Sequence, residues 1–163
     1  MSFFSQRVSR IQPSPTISIT AKAKKLKKEG KKIIDFSAGE PDFDTPDNIK
    51  QAAIKAIQDG QTKYTPVNGT KELIEAIIKK FKRENDLVFE SDEITVGCGG
   101  KQVIYNALVA TIEKGDEIII PAPFWVSYPD MALLVEGHPI VLDCTIENNF
   151  KINPQDLENK ITN

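Results

Sequence analysis

A chain of 163 residues that is 40% hydrophobic and 27% charged has the size and balance of one water-soluble domain with a real core. Its formal net charge of -2 gives no electrostatic footprint for nucleic acid. Apolar stretches such as Ile118 to Ile120 or Ala132 to Val135 fall far short of the ~20 residues of a membrane span, and no apolar run follows Arg7 and Arg10 to make a secretory signal, so a cytoplasmic protein is expected. Cys98 and Cys144 lack CxxC spacing and His138 is the sole histidine, so neither a disulfide framework nor a metal site is expected. His138, just before Pro139, reads as a surface-turn residue.

Helices alternate with strands along the chain. Thr16 to Glu29 reads as a lysine-rich helix stopped by Gly30, its lysines forming a solvated face. Lys31 to Phe36 reads as a short strand, and Ser37 to Asp42 as an irregular loop. Thr45 followed by Pro46 predicts a helix start, with Ile49, Ala53, Ala56 and Ile57 as a buried stripe and Gly60 as the stop. The polar loop QTKYTPVNG leads to a helix over Thr70 to Glu84, whose Leu73, Ile74, Ile77, Ile78 and Phe81 share a core face. A strand over Glu93 to Gly97, a glycine turn, a helix from Lys101 to Glu113 and a stop at Gly115 follow. Strand Glu117 to Ile120, the segment PAPFWVSYPDM, a helix through Leu134, strand Ile140 to Asp143 and a short helix after Asn153-Pro154 complete the pattern. The class expected is α/β with a largely parallel sheet.

A strand that enters a helix through Gly97-Cys98-Gly99-Gly100 leaves the first helical amides pointing outward at the carboxyl edge of the sheet. Gly99, Gly100 and Lys101 can present backbone N–H groups to a phosphate, aided by the helix dipole. The spacing matches neither the GxGxxG fingerprint nor the Walker loop, and a purely structural turn is an equal reading of these residues alone. Trp125, just past a strand end, is either a core residue or a platform for a flat aromatic ligand. Tyr64 is either a partly buried anchor of its loop or a hydroxyl that reaches a phosphate.

Four blocks in order, SAGEPDFDTP, KYTPVNGTKELIEAI, GCGGKQVIYNAL and IIIPAPFWVSYPDM, together resemble the class I aminotransferases that use pyridoxal 5′-phosphate, specifically the bacterial aspartate aminotransferase group. The resemblance runs from about Arg7 to the last residue. It implies a three-layer α/β fold of the fold type I kind, incomplete in this chain, with residues 1–44 forming the N-terminal arm and first part of the small domain and residues 45–163 the first part of the large cofactor-binding domain. It implies that Gly39 offers its amide to the substrate carboxylate and that Trp125 stacks on the cofactor ring beside the substrate. Gly99, Gly100 and Lys101 become the phosphate cup, and Tyr64 reaches the phosphate of the neighbouring subunit in a homodimer. The segment up to Thr16 and Ile17 resembles a mobile region that closes over substrate. The family often has alanine where this chain has Gly100.

The implied reaction moves an amino group between an amino acid, with aspartate expected, and a 2-oxo acid, with 2-oxoglutarate expected. Aromatic, prephenate or kynurenine-type substrates are the alternatives, as is a non-catalytic remnant of the fold. None of the lysines here matches the family's cofactor-bearing lysine, so no catalytic residue is expected within this chain. The chain is expected to be an N-terminal portion, inactive by itself and poorly folded, with an unpaired sheet edge.

Overall fold

The computed structural model describes residues 3–37 and 39–162. They fall into two compact units, one drawn from Met1–Ala38 and Ile104–Asn163 and the other from Gly39–Val103.

The first unit is organised around a parallel pair of strands, β1 (Glu117–Ala122) and β2 (His138–Asp143), in register from Glu117 opposite His138 to Ala122 opposite Asp143. β-branched residues fill β1, and the helix α6 (Ser127–Leu134) that joins the strands packs on both. Ile120, Met131, Ala132, Leu142 and Cys144 are buried there. At the end of α6, Glu136 N–H donates to the Leu133 carbonyl and Gly137 N–H to the Ala132 carbonyl, with Glu136 in the left-handed region at φ 66. The same cap closes α2 (Pro15–Lys28), through Gly30 and Lys31 onto Lys27 and Leu26. Pro15 opens α2 at a position whose amide would lack a partner in any case. The short helix α1 (Gln6–Ser9) lies against α6, and Arg7 and Arg10 reach the Glu136 carboxylate at 4.0 and 3.4 Å.

The second unit holds α3 (Asp47–Gln58) and α4 (Lys71–Asn85), followed by a 3-10 turn over Ser91–Glu93. Thr70 caps α4 by accepting the Leu73 N–H, which satisfies one of the donors every helix start leaves open. Ile74 and Ile94 are the buried residues of this unit, and Phe81 meets Phe89 edge to face with ring centres 5.3 Å apart. The helix α5 (Gly100–Thr111) begins in this unit and its later residues belong to the first. A short α7 (Pro154–Glu158), capped by the Asn153 side chain, follows β2 and a 3-10 turn over Ile146–Asn148.

Several expectations need correction. The expected strands Lys31 to Phe36 and Glu93 to Gly97 carry no ladder among the described residues, since a strand is defined by its partner, and Glu93 closes the 3-10 turn. Pro46 is the N-cap of α3, one residue later than the Thr45 cap expected. The α3 stripe is mostly exposed, with Ile49 at 53% and Ile57 at 66% and only Ala56 partly covered: periodicity shows that a face seeks cover, and no residue of α3 is buried here. His138 is the first residue of β2 rather than part of a turn.

Candidate functional site

The glycine turn is built by three glycines with three different reasons to be glycine. Gly97 needs room: a Cβ there would sit 2.8 Å from Val103 Cγ2 and 3.1 Å from Gln102 Oε1. Gly99 needs conformation, since its φ of +92 is one that L side chains rarely adopt. Gly100 meets neither demand, and nothing lies within 4 Å of where its Cβ would be. That open space is the approach a ligand would use.

Hydrogen bonding within the turn decides which donors remain. Gly99 N–H donates to the Gly97 carbonyl at 2.9 Å, and the Gly99 carbonyl accepts from Gln102 N–H at 3.1 Å. Cys98 N–H donates to the Gln102 side-chain carbonyl. Past Gly97, Gly100 N–H is the first backbone donor of the turn without an acceptor among the described residues, at the positive end of α5. What Gly99 contributes is its backbone shape more than a free amide. Lys101 follows in the first turn and is exposed. A phosphate fits this arrangement: an open donor, open space and a favourable helix end.

Tyr64 lies in the same unit and is fully exposed, which rules out the partly buried anchor. Its loop is instead fixed at its far end, where Val96 N–H donates to the Asn68 carbonyl at 3.0 Å and Gly69 packs on the Val96 side chain. The loop and the segment entering the glycine turn are therefore braced to each other. Gly39 is exposed, with nothing within 4 Å of a would-be Cβ.

Trp125 belongs to the other unit. It follows β1 at the carboxyl end of the pair, where the Ala122 carbonyl accepts Cys144 N–H at 2.8 Å, and its own carbonyl accepts Tyr128 N–H at 3.0 Å to start α6. At 48% exposure it is not a core residue. Thr16 and Ile17 occupy the first turn of α2, with Ile17 exposed.

Two features carried no clear signal in the sequence. Gln102 is at the third position of α5, where a glutamine or glutamate commonly reaches back to an amide ahead of the helix, and that spacing was the available clue. Asp35 accepts from Lys27 Nζ at 3.1 Å and from the Ser37 hydroxyl at 2.6 Å, while Thr20 donates to that hydroxyl at 3.1 Å. These bonds, from Ser37 first and then Lys27, hold the Asp35 carboxyl down at about 2. The network ties α2 to the residues just ahead of Gly39. No group of three or more His, Cys, Asp or Glu among the described residues could hold a metal ion, and no described helix is long and apolar enough to cross a membrane.

The family described as aminotransferase class I and II matches residues 31–163. The aspartate/prephenate aminotransferase of Nitrosomonas europaea is 61% identical over 158 residues, covering 97% of this chain and 40% of that protein. A probable aspartate/prephenate aminotransferase of Rickettsia conorii is 59% identical over 162 residues, covering 99% of this chain and 40% of that one. Among solved structures, the aspartate aminotransferase of Rhizobium meliloti matches with a TM-score of 0.93 at 47% identity, over 99% of this chain and 40% of that chain. The Thermus thermophilus aspartate aminotransferase with maleate also matches at 0.93, with 41% identity over 99% of this chain and 42% of that one. The chain thus spans about 40% of the length of the curated relatives it matches. The parallel β1–β2 pair with its helices is part of the α/β fold of these enzymes.

Proposed function

Because this chain belongs to the class I and II aminotransferase family, we propose that it forms part of an aminotransferase that moves the amino group of aspartate to 2-oxoglutarate with pyridoxal 5′-phosphate as cofactor. The observation that carries this reading is the glycine turn, where an open Gly100 donor at the head of α5 coincides with the family match. In this reading residues 1–44 are the arm and first part of the small domain, and residues 45–163 the first part of the large domain. The names of the relatives make prephenate a further amino acceptor.

The residues divide the work by chemistry. Gly100 N–H, the positive end of α5 and the Lys101 charge hold the phosphate dianion, and Gly99 shapes the turn that aims them. Trp125 covers one face of the cofactor ring and excludes water from it. When bound, the cofactor supplies the electron sink for the charge that develops as the substrate's α-proton leaves. Gly39 offers its amide to the substrate carboxylate, a group present twice both in aspartate and in the maleate of the Thermus relative. Tyr64, fully exposed, reaches the phosphate of the neighbouring subunit in a homodimer. The lysine that carries the cofactor and moves the proton belongs to the part of the relatives' length that this chain does not span. The cytoplasm is the proposed compartment.

The test is intact mass spectrometry of the native gene product before and after borohydride reduction. A mass gain of one pyridoxyl group fixed on a lysine supports the reading. A product near 18.1 kDa with no gain overturns it in favour of a non-catalytic remnant.

A further inference from the structure

We propose that Gln102 is a positioning residue for the phosphate-binding turn: by accepting Cys98 N–H it holds residues 97–99 in the shape that leaves Gly100 N–H open to a phosphate. The inference rests on the cofactor reading of this turn.

The bond from Cys98 N–H to Gln102 Oε1 spans the turn and closes it from the helix side. Gly97 leaves room for that bond and for Val103. Its φ lies outside the left-handed region, so glycine is not required there by conformation, yet a Cβ would stand 3.1 Å from Gln102 Oε1 and 2.8 Å from Val103 Cγ2. The missing Cβ leaves space that the Gln102 side-chain oxygen and Val103 share. With Cys98 N–H given to Gln102 and Gly99 N–H to the Gly97 carbonyl, the two donors directly ahead of the helix are spent internally. The next donor, Gly100 N–H, stays open inside the helix dipole's positive end.

The chemistry of the side chain points the same way. At the third helical position a glutamate would accept the same amide and gain from the dipole. A neutral glutamine forgoes that gain and keeps a negative charge away from a site that takes a dianion.

The experiment measures the dissociation constants of pyridoxal 5′-phosphate and of unphosphorylated pyridoxal for the full gene product and for its Gln102→Met and Gln102→Glu variants. Hydrogen exchange at the Cys98 amide is followed in parallel. Gln102→Met is expected to weaken the phosphorylated ligand by about five- to tenfold, the worth of one hydrogen bond. It should leave pyridoxal within about twofold and expose the Cys98 amide to exchange. Gln102→Glu should keep that amide protected yet weaken the phosphorylated ligand through charge.

Equal binding of both ligands by wild type and Gln102→Met overturns the inference while the cofactor reading stands. If Gln102→Met loses both ligands equally, Gln102→Glu decides: a selective loss of the phosphorylated ligand supports the role, and an equal loss of both refutes it. A wild-type protein with no preference for the phosphorylated ligand removes the cofactor reading and this inference with it.

Discussion

Replacing Gly69 by alanine tests whether the Tyr64 loop and the glycine turn are one mechanical piece. Gly69 has φ +117, and a Cβ there would lie 2.8 Å from Val96 Cγ2 and 3.2 Å from Val96 Cβ. The backbone strain of that φ costs about 1–3 kcal/mol, and forcing a methyl group into filled space costs about 1–3 kcal/mol more. Gly69→Ala is therefore expected to lower the stability of the full gene product by about 2–6 kcal/mol. In a Val96→Ala background the nearer contact, with Cγ2, is gone while the 3.2 Å contact with Cβ stays, so the same change should cost less, with the strain of about 1–3 kcal/mol as its floor. Urea unfolding of the four proteins, with m-values that stay constant, measures the coupling. A neutral Gly69→Ala, or an equal cost in both backgrounds, would refute the packing argument. Because Val96 directly precedes Gly97 and gives its N–H to Asn68, the single variant should also bind pyridoxal 5′-phosphate less tightly than wild type.

Trp125→Ala should weaken pyridoxal and pyridoxal 5′-phosphate alike, by about two- to tenfold for the loss of one ring-on-ring contact, as read by equilibrium binding to the full gene product; a loss confined to the phosphorylated ligand would contradict the ring-covering role. Asp35 has its carboxyl lowered from 3.8 to about 2, so its contribution to stability is complete above pH 3.8 and disappears as pH falls toward 2. Carbon-13 titration of that carboxyl should show the low midpoint, and Asp35→Asn should remove this part of the acid dependence; an ordinary midpoint would show that the Ser37 and Lys27 bonds do not persist in solution. The 163-residue chain made alone should bind a hydrophobic dye and melt without a sharp transition, because Ile34, Phe36, Phe43, Ile57 and Val67 are all at least 66% exposed; a cooperative melt without dye binding would count against this.

The helices were legible because their ends are local chemistry. Thr70 before α4, Asn153-Pro154 before α7, and Gly30 and Gly60 after α2 and α3 act within a few residues of themselves. Strands were less legible because pairing is not local. Lys31 to Phe36 and Glu93 to Gly97 have strand composition, yet the described residues give them no ladder, while His138 and Pro139 join one that their turn-like pairing of residue types did not announce. Within the candidate site, the demand for glycine at position 99 could be read from the turn. The reason for Gly97 could not, because it lies in side chains five and six residues later that fold back over it. Lys27, Asp35 and Ser37 meet only once α2 has turned the chain, so no spacing marks them as a set.

The parallel register of β1 and β2 pairs residues only about twenty positions apart, with α6 and two short loops as the return path. Closing so short a span costs little chain entropy, and Met131, Ala132 and Leu142 give it an apolar interior of its own as soon as it closes. Residues 117–143 are therefore the segment best placed to nucleate, ahead of any contact that must wait for distant sequence. Pulse-labelled hydrogen exchange during refolding of the full gene product should find the β1 and β2 amides protected first; protection arriving there last would place the nucleus elsewhere. On that order of events the strand end that carries Trp125 takes shape early in the life of the molecule, before the segments that must wait for distant sequence.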